Sequence, residues 1–306
     1  MQDVLVLENV YKSFGKRTII DDISLTVKTG ELFGFLGPNG AGKTTTIKMI
    51  LGLLSIDSGR ISIMGKDIEN DFEAAMQNIS GIVENPDMYS YLSGYDNLRL
   101  HARACGAPKE RIDEVIHLVG MQIRINDKFK TYSLGMKQRL GVAQALLHNP
   151  KIMILDEPTN GLDPAGIKEV RELLRYLSHT QGMAVFVSSH ILQEMQQMCD
   201  TVCIINKGRV LKVGTVDDLT KNSRTGLYRY KLSPMENALP FIQQNIPDKI
   251  AAMTDEYVDL RINQDEVDTI NRRLMDNNLV IYGLNAVEIS LEQSYMEITG
   301  GGNVIV

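Results

Sequence analysis

Runs of apolar residues mark the strands of the long N-terminal part of the chain. They predict strands at residues 4–10, 23–27, 31–36, 151–155 and 183–187, and a hairpin formed by the runs 202–205 and 209–213. After the third run, apolar residues recur at the spacing of one helix face, which predicts a helix over 44–54. Strands that are apolar throughout and alternate with helices are typical of a parallel sheet covered on both faces.

A polar stretch at residues 221–226 separates this pattern from a second one. Beyond it, the pattern predicts two strands and two helices, at residues 227–232, 257–262, 235–244 and 266–276. We therefore expect a large α/β domain at 1–222 and a small α+β domain at 223–306.

Composition narrows the classes of function. The chain has 306 residues, 43% of them hydrophobic and 23% charged, which is typical of globular domains. Its formal net charge of −6 argues against a general nucleic-acid binder, because neutralising phosphates requires a basic surface. We expect no nucleic-acid partner.

The sequence also bears on membrane and redox chemistry. Its apolar runs are far shorter than the roughly 18 residues that indicate a membrane span. The first ten residues, MQDVLVLENV, do not have the pattern of a signal peptide. We therefore expect any role at a membrane to depend on a partner chain. Cys105, Cys199 and Cys203 form no CxxC pair, so we expect reduced thiols.

The segment GPNGAGKT at residues 37–44 follows a predicted strand and fits the pattern G-x-x-x-x-G-K-[ST]. Glycines allow backbone N–H groups to point at phosphate oxygens, and the helix that begins near Lys43 adds its positive end. Lys43 is expected to reach the β- and γ-phosphates of ATP, and the Thr44 hydroxyl to ligate Mg²⁺. The residues expected to contact the nucleotide here are Asn39, Gly40, Ala41, Gly42, Lys43, Thr44 and Thr45.

Two acids, Asp156 and Glu157, end the segment whose apolar residues are Ile152–Leu155. An aspartate in this position is expected to hold Mg²⁺ opposite the phosphate loop. Glu157 is expected to face the other way from Asp156, because successive strand residues alternate between faces. In that position it would sit beside the γ-phosphate and orient or deprotonate the attacking water.

Three further segments carry a family resemblance. LDEPTNGLDP at 155–164 resembles the Walker B and D-loop segment of ABC ATPases, SSH at 188–190 resembles their switch-histidine segment, and SLGMKQR at 133–139 resembles their signature motif. In that motif Leu134 replaces the first glycine and Met136 the usual glutamine. The match covers residues 4–220 in the expected order. It implies a P-loop NTPase fold of the ABC ATPase type, with a helical subdomain at about 87–148.

The resemblance also implies roles for individual residues. Ser133 and Gly135 would bind the γ-phosphate of ATP held by the opposite subunit, although a serine before a helix is also an ordinary cap. His190 would contact the γ-phosphate, and with Lys43 and Glu157 it completes the expected catalytic set. Asp163, in the D-loop, is expected to contribute to nucleotide binding. Phe14 corresponds to the aromatic that stacks on adenine, with Tyr11 as the competing candidate.

Glu84 is a departure from the family, which usually has glutamine at this position. The residue there normally touches Mg²⁺ or the attacking water, so we expect Glu84 to be a metal ligand. Exporters that resemble bacitracin-resistance and lantibiotic-immunity systems often have glutamate here. The segment at 290–300 also resembles the closing helix of drug- and peptide-export cassettes.

These features predict the ATP-hydrolysing subunit of an ABC exporter. Two copies would sandwich two MgATP and drive a separate transmembrane permease from the cytoplasmic side of the membrane, moving an antimicrobial peptide, a drug or another amphipathic compound. An importer motor is the alternative within the family. A soluble ABC ATPase of DNA repair or translation is less favoured, because the chain has no heptad insertion and a single phosphate loop. The presence of Glu157 and His190 argues against a non-enzymatic regulator.

Overall fold

A computed structural model describes residues 2–84, 86, 88–220, 225–287, 291, 292 and 295. The chain divides into two compact units, one ending at Thr215 and the other beginning at Val216. The helix Val216–Thr220 therefore belongs to the second unit, whereas the sequence placed it in the first domain. The predicted closing helix at 290–300 lies outside the described residues except for Leu291, Glu292 and Tyr295.

The first unit contains strands and helices in alternation. Its strands are β1 (Asp3–Phe14), β2 (Arg17–Lys28), β3 (Leu32–Leu36), β4 (Ser58–Ile63), β5 (Lys66–Asp67), β6 (Ile79–Ile82), β7 (Ile152–Asp156), β8 (Ala184–Ser189), β9 (Thr201–Asn206) and β10 (Arg209–Thr215). Its helices are α1 (Lys43–Ile50), α2 (Phe72–Met76), α3 (Gly94–Cys105), α4 (Lys109–Leu118), α5 (Leu134–Leu146), α6 (Pro164–Arg175) and α7 (Leu192–Met198).

A six-stranded sheet forms the centre of this unit, with the order β10-β9-β3-β8-β7-β6. Its strands pair in parallel except at the edge, where β10 pairs antiparallel with β9. Every residue of β3, β7 and β8 is buried, as expected for parallel strands covered on both faces. Because β3, β8 and β7 are neighbours, their carboxyl ends meet at one edge of the sheet, where ligands bind in such folds.

A second, antiparallel sheet with the order β2-β1-β4-β5 accompanies the first. Alternate residues along β2 are buried, which places one face of this sheet on the core. The sequence predicted two of its strands without separating them from the parallel sheet. One hydrophobic core includes residues of both sheets, among them Leu7, Ile23, Phe35 and Phe186.

Helices α3, α4 and α5 follow one another between β6 and β7, in the region where the sequence predicts a helical subdomain. Ser93 caps α3 by accepting a hydrogen bond from the Asp96 backbone N–H at 3.0 Å. The inner faces of these helices are buried through residues such as Leu98, Val115 and Leu140.

The second unit has the element order α8 (Val216–Thr220), β11 (Thr225–Ser233), α9 (Met235–Asn245), β12 (Ile250–Met253), β13 (Val258–Asn263), α10 (Val267–Asp276) and β14 (Val280–Val287). Its strands pair antiparallel in the order β12-β13-β11-β14, which is the split βαββαβ arrangement. Tyr230, Leu260, Ile242 and Leu274 lie in its separate hydrophobic core.

Within the part of the chain that the structure describes, no helix is long and apolar enough to cross a membrane. The three cysteines form no disulfide bond. Cys199 and Cys203 are buried, which raises the pKa of both thiols, whereas Cys105 is exposed on α3.

Candidate active site

The glycine loop joins β3 to α1 at the carboxyl edge of the parallel sheet. Gly42 adopts a φ of 108°, a conformation that residues with a side chain rarely adopt. A Cβ on Gly37 would lie 2.4 Å from the Ile205 carbonyl oxygen, so only glycine fits there. Asn39 and Gly40 are exposed at the tip of the loop, and Ala41 is buried at its base. The loop thus opens to solvent with helix α1 behind it.

Lys43 lies inside this loop and is 6% exposed. Its Nζ donates hydrogen bonds to the carbonyl oxygens of Gly37 at 2.7 Å and Pro38 at 3.4 Å. It also lies 3.4 Å from Glu157 Oε1. Burial lowers the pKa of Lys43 from its ordinary value, and the charge of Glu157 opposes this shift. The amine is therefore poised beside a carboxylate at the point where the loop would hold phosphates.

Thr44 and Asp156 meet across the sheet edge. The Thr44 hydroxyl donates to Asp156 Oδ2 at 2.8 Å, and the Ser188 hydroxyl donates to Asp156 Oδ1. Thr44 and Asp156 line a cavity of about 600 Å³ together with Glu84 and Glu157. Hydroxyl and carboxylate oxygens are the ligands that Mg²⁺ prefers.

The described residues contain no cluster of three or more His, Cys, Asp or Glu side chains that could hold a metal by themselves. Such a cluster is not what Mg²⁺ needs, since it is usually bound by one or two carboxylates and completed by substrate phosphates and water. The pairing of Thr44 with Asp156 therefore fits a magnesium ion that arrives with a nucleotide.

Glu157 follows the end of β7 and adopts a left-handed backbone conformation with φ 49°. Its N–H donates to the Ser188 carbonyl oxygen at 3.2 Å and to Ser188 Oγ at 3.1 Å. Its Oε1 lies 3.2 Å from His190 Nδ1 as well as beside Lys43. The sequence expectation that Glu157 faces away from Asp156 was wrong in this respect, because the strand ends at Asp156 and the turn brings both carboxylates to one cavity.

Glu84 also has a positive φ, of 67°. For residues with a Cβ this conformation costs about 1–2 kcal/mol, and such strain is often found at functional sites. Two acids that line one cavity, Glu84 and Glu157, are thus both held in unusual backbone conformations.

The remaining predicted residues lie at helix starts. Ser133 caps α5 by accepting a hydrogen bond from the Met136 N–H at 3.3 Å, and Gly135 is in the first turn of that helix. Asp163 caps α6 through a 2.9 Å bond from the Gly166 N–H. Leu134 lines the cavity with Thr44, whereas Ser133, Gly135 and Asp163 do not. Within one chain, these three residues are not brought to the phosphate loop.

Phe14 is the last residue of β1, and its side chain is 53% exposed. Tyr11 is half-buried on the same strand, where it pairs with Ser58 of β4. Of the two candidates for stacking on a base, Phe14 is the more accessible.

Sequence reasoning missed three polar residues of the site. The Ser188 hydroxyl donates to Asp156, and Asn160 Nδ2 lies 3.5 Å from Glu157 Oε2. Gln138 lines the cavity, and its side chain is only 5% exposed. A signal was present for Ser188, since it directly follows the apolar run at 183–187 that was predicted as a strand. Gln138 lies one turn after Leu134 on α5, and its sequence position gave no sign of its burial.

Comparisons with known proteins agree with this geometry. Residues 20–160 match the family described as ABC transporter. The chain is 46% identical to the uncharacterized ABC transporter ATP-binding protein YhcH of Bacillus subtilis, covering 98% of this chain and 97% of that protein. It is 37% identical to the bacitracin transport ATP-binding protein BcrA of Bacillus licheniformis, covering 99% of this chain and all of that protein (100%).

A solved structure titled as the ATP binding subunit of an ABC transporter superposes with a TM-score of 0.63 at 31% identity, covering 71% of this chain and 91% of the other. Long matches at this identity, together with the phosphate loop and the two acids at the sheet edge, establish the family. The chain belongs to the ABC transporter family as one of its ATP-binding proteins, which are ATPases coupled to transport.

Proposed function

We propose that this chain binds MgATP at the carboxyl edge of its parallel sheet and hydrolyses it to drive a separate membrane permease. The observation that carries the proposal is a pair of contacts at one edge of the sheet. Thr44 is bonded to Asp156 there, and Glu157 lies within pairing distance of both Lys43 and His190. These side chains supply a cation for phosphates, oxygen ligands for a metal, and a carboxylate with a neighbouring imidazole.

Binding is assigned to the glycine loop. Its N–H groups, the start of α1 and the side chain of Lys43 would hold the phosphates, with Thr45 on the first turn of the helix. Thr44, Asp156 and Glu84 would hold Mg²⁺, directly or through water. When bound, Mg²⁺ would neutralise charge on the β- and γ-phosphates. Phe14 would stack on the adenine.

Hydrolysis is assigned to Glu157 and His190. Glu157 would orient the attacking water and accept its proton, with the Lys43 side chain 3.4 Å from its Oε1. His190 Nδ1 at 3.2 Å would fix the position of that carboxylate and reach the γ-phosphate with its other nitrogen. Ser188 would keep Asp156 in place and support the turn at Glu157.

The complete site is proposed to need two copies of the chain. Ser133, Gly135 and Asp163 do not line the cavity beside Thr44 in their own chain. The N-terminus of α5 leaves backbone donors near Gly135 that suit an anion. A second copy facing the first would bring this helix start to the γ-phosphate.

The permease is proposed to dock on the first unit, at a groove between the parallel sheet and the helices that follow β6. The groove has a volume of about 570 Å³ and is lined by Ile82, Pro86, His101 and Cys105 among others. Tyr89 and Tyr91 are exposed nearby in sequence, with ring centroids 5.9 Å apart. Exposed aromatic residues are enriched at protein interfaces. Docking would hold the chain at the cytoplasmic side of the membrane.

Export of an amphipathic or peptide-like compound is the direction we propose. A relative that matches across nearly its whole length is named as a bacitracin transport protein. Glu84 is present where the family usually has glutamine. An importer motor is the second candidate. The cargo would be bound by the permease, so no residue of this chain is assigned to it.

Deleting the gene is expected to raise the sensitivity of the cells to one or more membrane-active peptides, without changing the uptake of sugars, metals or amino acids. Growth is measured across a peptide panel, beside uptake assays. The wild-type gene and a Lys168→Ala variant, altered on the exposed face of α6, should restore resistance, whereas Lys43→Ala should not. A selective uptake defect with unchanged peptide sensitivity would contradict the export proposal.

Replacing Glu84 with alanine is expected to raise the Mg²⁺ concentration needed for half-maximal ATPase activity, while metal-free ATP binding stays unchanged. The reason is that a carboxylate that lines the cavity beside Thr44 and Asp156 would be lost from the metal's surroundings. Hydrolysis is measured across a Mg²⁺ titration. Glu73→Ala, on the exposed face of α2, is the control. An unchanged Mg²⁺ dependence would remove Glu84 from the metal site.

A further inference from the structure

Asp57, the residue directly before β4, holds the end of β1 that carries Phe14. Asp57, just before β4, donates its N–H to the Tyr11 carbonyl oxygen at 2.9 Å. Its Oδ1 accepts from Lys12 Nζ at 2.8 Å, and its Oδ2 accepts from the Ser13 N–H at 2.7 Å. Asp57 thus binds the three consecutive residues that precede Phe14. We call these three contacts the Asp57 clamp.

Lys12 links the clamp to the aromatic ring. Residues two apart on a strand share a face, and the Lys12 ammonium lies 5.7 Å from the centroid of the Phe14 ring. Lys12 is only 7% exposed, so its charge needs a partner, which Asp57 supplies. Ser55 Oγ, at 3.5 Å from Lys12 Nζ, is a further neighbour of the ammonium.

The hairpin ladder is irregular near this strand end, although Ser13 and Phe14 still pair with Thr18 and Arg17. Pairing between β1 and β2 shifts register between Val10 and Lys12 and again between Lys12 and Ser13. An irregular ladder leaves local backbone groups unpaired and bends the strand. The N–H of Ser13 is bonded instead to Asp57, immediately before Phe14. A contact from outside the hairpin therefore acts together with these ladder pairs in holding the strand end that carries the half-exposed ring.

We propose that Asp57 and Lys12 are positioning residues for the nucleotide base: the Asp57 clamp and the Lys12 ammonium hold the Phe14 ring so that its open face stacks on adenine. The proposal rests on the proposed function, which assigns Phe14 to the base. It adds that Asp57, which would not contact the nucleotide, raises the affinity for the base and leaves the affinity for the phosphates unchanged.

The Asp57 carboxylate is ionised in neutral solution. The hydrogen bond from Lys12 and that from the Ser13 N–H hold the pKa of Asp57 below its ordinary value, so the carboxylate stays ionised. At neutral pH the acceptor oxygens of the clamp are therefore available to both donors.

The test compares two ligands, ATP and inorganic triphosphate, which has no base. Asp57→Ala and Phe14→Ala should each weaken ATP binding about tenfold, within the range that loss of an aromatic–base stack gives. Neither change should alter triphosphate binding. Adding Asp57→Ala to Phe14→Ala should cause no further loss of ATP affinity, because Asp57 is proposed to act through Phe14. Dissociation constants are measured by calorimetry on the full chain.

Two variants separate positioning from general damage. Asp67→Ala removes a carboxylate that makes similar bonds in the same sheet, to Arg60 at 2.9 Å and the Glu69 N–H at 2.8 Å, and should leave ATP affinity unchanged. Asp57→Asn keeps an acceptor for the Ser13 N–H but loses the charge paired with Lys12. It should fold like the wild type and lie between the wild type and Asp57→Ala in ATP affinity.

The outcomes distinguish the two proposals. If the wild-type chain fails to bind ATP, the assigned nucleotide site is wrong; if Phe14→Ala binds ATP as well as the wild type, the assignment of Phe14 to the base is wrong. Either result removes the positioning role as well. The positioning proposal alone is overturned if Phe14→Ala weakens ATP binding as expected and Asp57→Ala does not. It is also overturned if the Asp57 effect persists without Phe14, or if triphosphate binding weakens equally.

Discussion

Replacing Glu157 with glutamine is expected to leave ATP binding intact and to slow hydrolysis about 10²–10⁴-fold, the usual effect of removing a general base. Glutamine has the shape of glutamate, so it can still lie beside Lys43 and His190, but it cannot accept a proton from water. In the structure the Glu157 Oε1 is 3.4 Å from Lys43 Nζ and 3.2 Å from His190 Nδ1. The carboxylate is therefore held where the glycine loop would present the γ-phosphate.

The measurement pairs steady-state hydrolysis with ATP binding on the purified chain. The slowed variant should also remain dimeric in ATP for longer than the wild type, because hydrolysis would be what separates the two copies. Glu172→Gln makes the same chemical change on the exposed part of α6, where Glu172 lies 3.8 Å from Lys168, and should hydrolyse ATP normally. Near wild-type turnover by Glu157→Gln would show that another group activates the water.

The strands that position this site could be predicted because they are apolar throughout. Every residue of β3, β7 and β8 is buried, so their sequences stand out from the surrounding chain. Once those strands are recognised, the chemistry at their carboxyl ends follows from the general location of ligands in parallel sheets. Lys43 and Asp156 were predicted in this way, from local sequence and strand position, whereas the role of His190 was implied by the family resemblance.

Strands that depend on distant partners could not be predicted as readily. β4 begins with exposed Ser58, Gly59 and Arg60, which have the composition of a loop, and its strand character comes from pairing with β1. In the second unit β12 has two exposed alanines, residues of low strand preference. β14 contains Gly283 and pairs with a strand whose alternation is far clearer. Long-range pairing overrides such local signals.

Within the site, backbone conformation was the part that the sequence did not reveal. The alternation rule applies inside a strand, and β7 ends at Asp156, so the direction of Glu157 depends on a turn with φ 49°. Ser188 supports that turn through its carbonyl and hydroxyl oxygens from a neighbouring strand. Glu157 and Ser188 are 31 residues apart in the sequence, so this contact can be recognised only in the folded chain.

Mixing two inactive variants, Lys43→Ala and Gly135→Asp, is expected to restore part of the ATPase activity. If the site is shared between copies, each mixed dimer has one site with both lesions and one with neither. Random assortment of equal amounts then leaves roughly a quarter of all sites intact in a symmetric pair. Gly135 is a suitable position because an added Cβ would be 3.9 Å from its nearest neighbour, Leu162 Cδ2, so the chain should fold.

An aspartate in the first turn of α5 also suits the helix itself, since negative charge is favourable near a helix N-terminus. It would act only by repelling the γ-phosphate held by the opposite copy. Hydrolysis is measured for each variant alone and for the mixture, with mixed dimers confirmed by differently tagged chains.

The control mixture is Lys43→Ala with Glu157→Gln. Both of its lesions lie on the same half of the site, so each site of a mixed dimer keeps one lesion and activity should stay low. If Lys43→Ala with Gly135→Asp recovers no more activity than this control, although mixed dimers are present, the helix start at Gly135 does not complete the site of a second copy.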